Sequence, residues 1–167
     1  MESEHSLAAL HELYERVDEQ TSHLSSIHAQ RLQCRRGCTM CCVDDITVFE
    51  VEAENIRQYN RVLIETGQPH PPGMCAFLHE GACRIYDQRP YVCRTQGLPL
   101  RWLDESRGAT VEMRDICPLN ESDQPLESLD SDTCWTIGPS EASLAQIQAA
   151  RDGKQELRRV PLRDLFR

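Results

Sequence analysis

Eight of the nine cysteines in this 167-residue chain fall between positions 34 and 117. Cys34, Cys38, Cys41 and Cys42 crowd into nine residues, and Cys75, Cys83, Cys93 and Cys117 follow. Thiols gathered in this way suit coordination of a soft metal. Thiolates bind zinc and iron strongly, whereas packing alone could use many other small apolar residues. Arg35, Arg36, Arg84, Arg94 and Arg114 each lie within three residues of a cysteine, and nearby positive charge lowers a thiol pKa and offsets the charge that clustered thiolates carry. Cys41 and Cys42 are adjacent. Consecutive side chains tend to point apart, so these two are expected to serve different metal positions, or one of them to bridge two metals. Eight thiolates suffice for two tetrahedral four-sulfur zinc sites, or for one four-iron iron-sulfur cluster with a second centre.

The remaining totals exclude other chemistries. Nine cysteines in 167 residues lie below the roughly 8–10% at which a short secreted chain reads as a disulfide scaffold. The count is odd, and Met1 to Arg31 holds no apolar h-region, so a reducing cytoplasmic setting is expected. No apolar run approaches the ~18 residues needed to cross a bilayer, so no membrane partner is expected. A net charge of −9 opposes binding to phosphate backbones, which excludes nucleic acid as an expected partner. Metal ions are the expected partners, and a protein partner is left unidentified.

The cysteine segments resemble the YkgJ-type cysteine-cluster family, described as a zinc- or iron-chelating domain. Its mark is C-x3-C-x2-C-C, then C-P-F-L, then C-x-I-Y-x-x-R-P-x-x-C-R. Here these stand as Cys34, Cys38, Cys41 and Cys42; Cys75-Ala-Phe-Leu78; and Cys83-Arg-Ile-Tyr-Asp-Gln-Arg-Pro-Tyr-Val-Cys93-Arg94. The resemblance runs from about Cys34 to Cys117 and implies that eight cysteines chelate zinc or iron. Ala76 replaces the family's proline, which loosens a turn but removes no ligand. Cys134, beside Trp135, lies outside the pattern and reads as a buried thiol. Within the third segment Pro90 is expected to fix a turn, Asp87 to cap it, and Arg89 to hydrogen-bond carbonyls or pair with a carboxylate. No catalytic residue is assigned, and the reading is of a binding protein rather than an enzyme.

Three alternatives remain open on the residues alone. Cys34, Cys38 and Cys41 have the spacing that radical-SAM enzymes use for a four-iron cluster, although a helix precedes them and Met40 stands where an aromatic is usual. Cys38-Thr-Met-Cys41 has thiol redox spacing but lacks the βαβ setting. A zinc-scaffolded interaction module would offer the first helix or the acidic loop as its contact surface.

The elements that must position these thiols can be read from periodicity. Leu7, Leu10, Tyr14, Val17, Leu24 and Ile27 recur at helical steps and predict an amphipathic helix over 6–32, with its four histidines (His5, His11, His23, His28) solvated. Ile46 to Phe49 reads as a short strand. A second helix is expected from Glu50 through Thr66, ending at Gly67. Hairpins are expected around His79 to Gly81 and Asp104 to Gly108. Glu121 to Asp132 is acid-rich with no basic residue and predicts an exposed loop, and Ser140 opens a last helix that ends before Gly153. The whole is expected to be one α+β domain over 1–167. Its cysteine-cluster core (34–117) of short strands and turns is irregular and metal-stapled, with about three flanking helices, an acidic loop (118–139), and a C-terminal helix and weakly packed basic tail (140–167).

Overall fold

A computed structural model describes residues 2–35, 37–106, 108–153 and 157–166. The architecture is mixed α+β: five helices and seven short strands among the described residues. The first helix, α1 (Glu2–Ile27), buries Leu7, Leu10, Leu13, Tyr14, Val17 and Leu24 along one stripe, while Ile27 stays exposed. It ends earlier than its pattern suggests, in turns tied by the His28 and Arg31 amides to the Leu24 and His28 carbonyls. His28 is buried rather than solvated, because its ring Nε2–H donates to the Thr133 carbonyl at 2.7 Å.

The expected helix over Glu50 to Thr66 is two, α2 (Glu50–Tyr59) and α3 (Arg61–Thr66). Asn60 separates them. Its side-chain amide and backbone amide both donate to the Ile56 carbonyl, which supplies the local alternative to a continuing helix that asparagine favours. Short β1 (Thr47–Phe49) precedes α2 as expected. The small hairpin is β2 (Leu78–His79) with β3 (Ala82–Cys83), turned by Glu80 and Gly81 at φ 48° and 74°. Two successive positive φ values make the primed turn that matches strand twist. Helix α4 (Tyr91–Arg94) is a single turn.

The second hairpin pairs β4 (Leu100–Asp104) with β5 (Val111–Asp115), with β6 (Trp135–Thr136) parallel on the far side of β4. The last helix, α5 (Pro139–Asp152), opens one residue before Ser140, which lies inside the helix and does not cap it. Gly138 takes the cap position, Pro139 sits in the first turn, where a missing amide is harmless, and the helix closes on left-handed Gly153. The acidic loop is mostly exposed but anchored, since Arg114 donates to the Leu126 and Leu129 carbonyls at 2.6 Å each. Its Leu129 is buried.

The basic tail differs from expectation. Strand β7 (Arg159–Pro161) pairs antiparallel with β1, Val48 opposite Val160, and a 3-10 turn at Leu162–Phe166 follows. Val160, Leu162 and Leu165 are buried while Arg159 spreads over Phe49. Basic composition concealed an apolar side, because arginine stems lie along apolar surface with their heads in solvent.

Two apolar clusters result. One joins α1 to Phe49, Val51, Tyr91, Leu98, Trp135 and Leu144. The other joins Val48, Ala53 and Ile56 to Phe77, Ile85 and the tail, and Cys75, with half-buried Cys42 and Cys83, belongs to it. Helix α2 contributes to both clusters. No described helix is long and apolar enough to cross a membrane. The largest sheet has three strands, and its one parallel pair is two residues long. That is not the partial barrel a radical-SAM cluster loop requires.

Candidate metal centre

The run from Cys34 to Cys42 is a loop between α1 and β1. Two tight turns shape it: the Cys38 amide donates to the Arg35 carbonyl and the Cys42 amide to the Thr39 carbonyl, each at 2.9 Å. The Cys41 and Cys42 thiols interact across this curled turn, where the alternation of side chains that belongs to extended backbone does not apply. The Cys42 carbonyl then accepts the Cys75 amide at 2.8 Å, which splices the loop to the start of the next cysteine segment.

Five thiols from four chain segments become neighbours in this way. The Cys42 thiol lies in the field of Cys41, Cys75 and Cys83, and the Cys93 thiol on α4 in that of Cys75, Cys83 and Cys41. Burial pushes Cys93 well above the ordinary thiol range, and the neighbouring thiols add to the rise. Burial likewise raises Cys75 and Cys83, opposed in each case by the dipole of a nearby backbone amide, that of Phe77 for Cys75 and of Ile85 for Cys83. The interaction with Cys42 lowers Cys41 to about 6 and leaves Cys42 far above the usual range. Amide dipoles near sulfur favour the thiolate, which is the state a metal binds.

Cys34, at the start of the loop, and Cys117 are both tied to Asn120, Cys34 through its sulfur and Cys117 through its carbonyl. The Asn120 side chain is fully buried. Its Oδ1 accepts the Gln33 amide at 2.7 Å, and its Nδ2 donates to the Gly97 carbonyl at 2.7 Å and to Cys34 Sγ at 3.4 Å. The Asn120 amide closes a 3-10 turn on the Cys117 carbonyl at 2.8 Å. Cys38 lies half-buried within the loop. Cys134 is buried, with Arg114, Arg101 and Glu112 as its charged neighbours, and does not join either group.

Gly97 is required at this corner. Its φ is 92°, and a Cβ there would stand 2.4 Å from Cys34 Sγ and 3.2 Å from Asn120 Nδ2. G97A is expected to cost about 2 kcal/mol or more, from left-handed backbone plus displacement of Cys34. Urea unfolding checks this, and unchanged stability would show that the corner yields freely.

Among the described residues, no three Cys, His, Asp or Glu side chains are arranged, as they lie, to hold one metal ion. The donor set nonetheless fits zinc or iron in type: soft thiols from separate segments, with Cys42, Cys75 and Cys83 in one cluster.

The surrounding residues act mostly through backbone. Arg94 lies over the Tyr14 ring at 3.9 Å and donates to Asp18 Oδ2 at 2.5 Å and to the Arg89 carbonyl at 3.0 Å, so it braces the segment rather than the Cys93 thiol. Arg84 donates to the Gln68 and Ala76 carbonyls, and Arg89 to the Tyr86 carbonyl. Arg36 lies outside the described residues. Asp87 does not cap α4; Glu52, from α2, accepts its first amide, that of Tyr91, at 2.8 Å. Glu52, Asn120 and Arg163 went unnoticed in the sequence. Each is a common polar residue whose partners are distant in the chain, and only the acidic first turn of α2 offered any signal.

No curated protein and no solved structure matches the chain. A family model does match, over residues 33–118, and its description is "Putative zinc- or iron-chelating domain". That span covers the Cys34 loop, Cys75, the hairpin's Cys83, α4 with Cys93, and Cys117, and it makes up half of the chain. With these thiols gathered by the fold and this span matched, the chain belongs to the CxxCxxCC family of zinc- or iron-chelating domains.

Proposed function

We propose that this protein chelates zinc or iron through eight thiolates, those of Cys34, Cys38, Cys41, Cys42, Cys75, Cys83, Cys93 and Cys117, in the reducing cytoplasm and without turnover of its own. The observation that carries this reading is the meeting of Cys42, Cys75 and Cys83 in one cluster, spliced by the Cys75 amide on the Cys42 carbonyl at 2.8 Å, with Cys41 and Cys93 in the same electrostatic field. Five thiols exceed the four that one tetrahedral zinc takes, so Cys41, Cys42, Cys75, Cys83 and Cys93 would hold more than one metal ion, or a cluster. Cys34, Cys38 and Cys117 make the second group. When bound, zinc or iron supplies the positive charge that holds buried thiols deprotonated and cross-links the segments that bear them. The chain's own residues do the rest. The Phe77 and Ile85 amides stabilise sulfur charge, Asn120 orients Cys34, and the turn at Thr39 to Cys42 presents two sulfurs together. The net charge of −9 fits cations as ligands and opposes nucleic acid.

The test is anaerobic purification followed by analysis of zinc, iron and labile sulfide per chain, with a visible spectrum. At least one equivalent of zinc or iron is expected. A brown product with sulfide identifies an iron-sulfur cluster, and a colourless product with zinc identifies structural sites. Absence of stoichiometric metal in either form would refute the reading.

A further inference from the structure

The 3-10 turn at Leu162–Phe166 lies far beyond the family match, yet it rests on the Cys42–Cys75 junction. The Arg163 guanidinium reaches both sides of that junction. Nε donates to Asp44 Oδ1 at 2.6 Å, and Nη2 ion-pairs with the same oxygen. Nη2 also donates to the Met74 carbonyl at 2.9 Å and Nη1 to the His70 carbonyl at 2.7 Å. Asp44 stands two residues after Cys42, and Met74 directly precedes Cys75. Asp44 completes the loop by accepting the Gly73 amide on Oδ2 at 2.9 Å. Three residues of the turn, Leu162, Leu165 and Phe166, are apolar; Phe166 packs against Phe77, ring centroids 4.8 Å apart, with the Arg84 guanidinium over its ring at 5.3 Å. The tail thus covers the Cys75–Cys83 segment and holds it by a fork of charge-assisted bonds, which a planar guanidinium makes and a single ammonium cannot.

We propose that Arg163 is a positioning residue of the candidate metal centre: its guanidinium spans Asp44 and the Met74 carbonyl and so fixes the spacing of Cys42 and Cys75. The proposal rests on the reading that these two cysteines are ligands, and its test separates the two ideas. A structure-only role would loosen the whole fold, whereas a latch loosens this junction first.

The experiment uses the full chain as isolated. Iodoacetamide labelling is followed residue by residue by mass spectrometry, with the metal content of each sample measured alongside. In R163A the alkylation rate of Cys75, relative to that of Cys134, which is also buried, is expected to rise about tenfold or more. R163K keeps the charge and loses the fork, so it is expected to show the same rise. R159A releases tail contacts to Thr47 and Phe49, away from the Cys42–Cys75 junction, and is expected to leave the ratio within about twofold of wild type. Parallel acceleration of Cys75 and Cys134 would mean general destabilisation and overturn the latch, as would a wild-type ratio in R163A or in R163K. If R163A does not fold, R163K decides alone. A wild-type chain without metal would refute the chelation reading while the alkylation ratio still judged the latch.

Discussion

Stripping the metal with a chelator is expected to lower the thermal unfolding midpoint by about 10 °C or more. Cys75, with half-buried Cys42 and Cys83, lies in the second apolar cluster, beside Phe77, Ile85 and Ile56. Four segments with little regular structure converge there, held internally by a few isolated turns, β2–β3 and one turn of helix. A ligand that binds only the native chain and is present at a thousand times its Kd stabilises by about 4 kcal/mol. For a chain of this size each kcal/mol moves the midpoint by roughly 2–4 °C. The melt is to be recorded anaerobically with reductant, before and after chelation, and again after the metal removed is returned. Recovery on return is expected. A melt indifferent to chelation would show that the thiol locus does not hold the fold.

Replacing Glu52 should be comparably damaging, independently of any metal. The carboxylate is almost wholly buried and accepts three bonds: from Tyr14 Oη at 2.9 Å, the Tyr91 amide at 2.8 Å and the Phe49 amide at 3.1 Å. Those donors lie in α1, at the start of α4 and at the end of β1, so one side chain ties three elements to α2. Tyr91 extends the chain by accepting Trp135 Nε1–H at 2.8 Å. E52A leaves three donors without partners in a dry interior, each costing about 1–3 kcal/mol, so a loss of roughly 3–5 kcal/mol is expected. Urea unfolding measures it, and a loss under about 1 kcal/mol would show that water or rearrangement replaces the carboxylate. Burial raises the Glu52 pKa, against the opposing pull of the three donors. The native state therefore holds a proton that the unfolded chain has already released, and stability falls as pH rises from the ordinary carboxylate range through the native pKa. E52Q cannot titrate, so the advantage of wild type over E52Q is expected to narrow with rising pH. A gap that widens would reverse the sign.

Local patterns made much of the fold legible. The apolar stripe of α1, the strand at Thr47 to Phe49, both hairpins and α5 with its Gly153 stop follow from periodicity, turn residues and caps. Departures occur where one polar side chain intervenes: Asn60 splits a helix by bonding back to Ile56, and the histidine at position 28 finds a carbonyl from Thr133. The tail was misjudged from its arginines because composition averages over the alternation that buries Val160, Leu162 and Leu165. In the candidate site the cysteines themselves were visible, and spacing carried the family. Their supports were not, since Glu52 reads as a solvated helix acid, Asn120 as a turn residue and Arg163 as part of a basic tail.

The sequence by itself determined the donor chemistry and the family, because thiol identity and short-range spacing are written in consecutive residues. Only the tertiary structure decided which thiols become neighbours: Cys41 and Cys42 side by side with Cys75, Cys83 and Cys93, and Cys34 set against Gly97 and Asn120. It also decided that residues as distant as Arg163 brace the junction. Such contacts depend on how whole elements pack, with α2 contributing to both cores and β7 returning to β1. Long-range pairing of this kind leaves no periodic trace in any one segment.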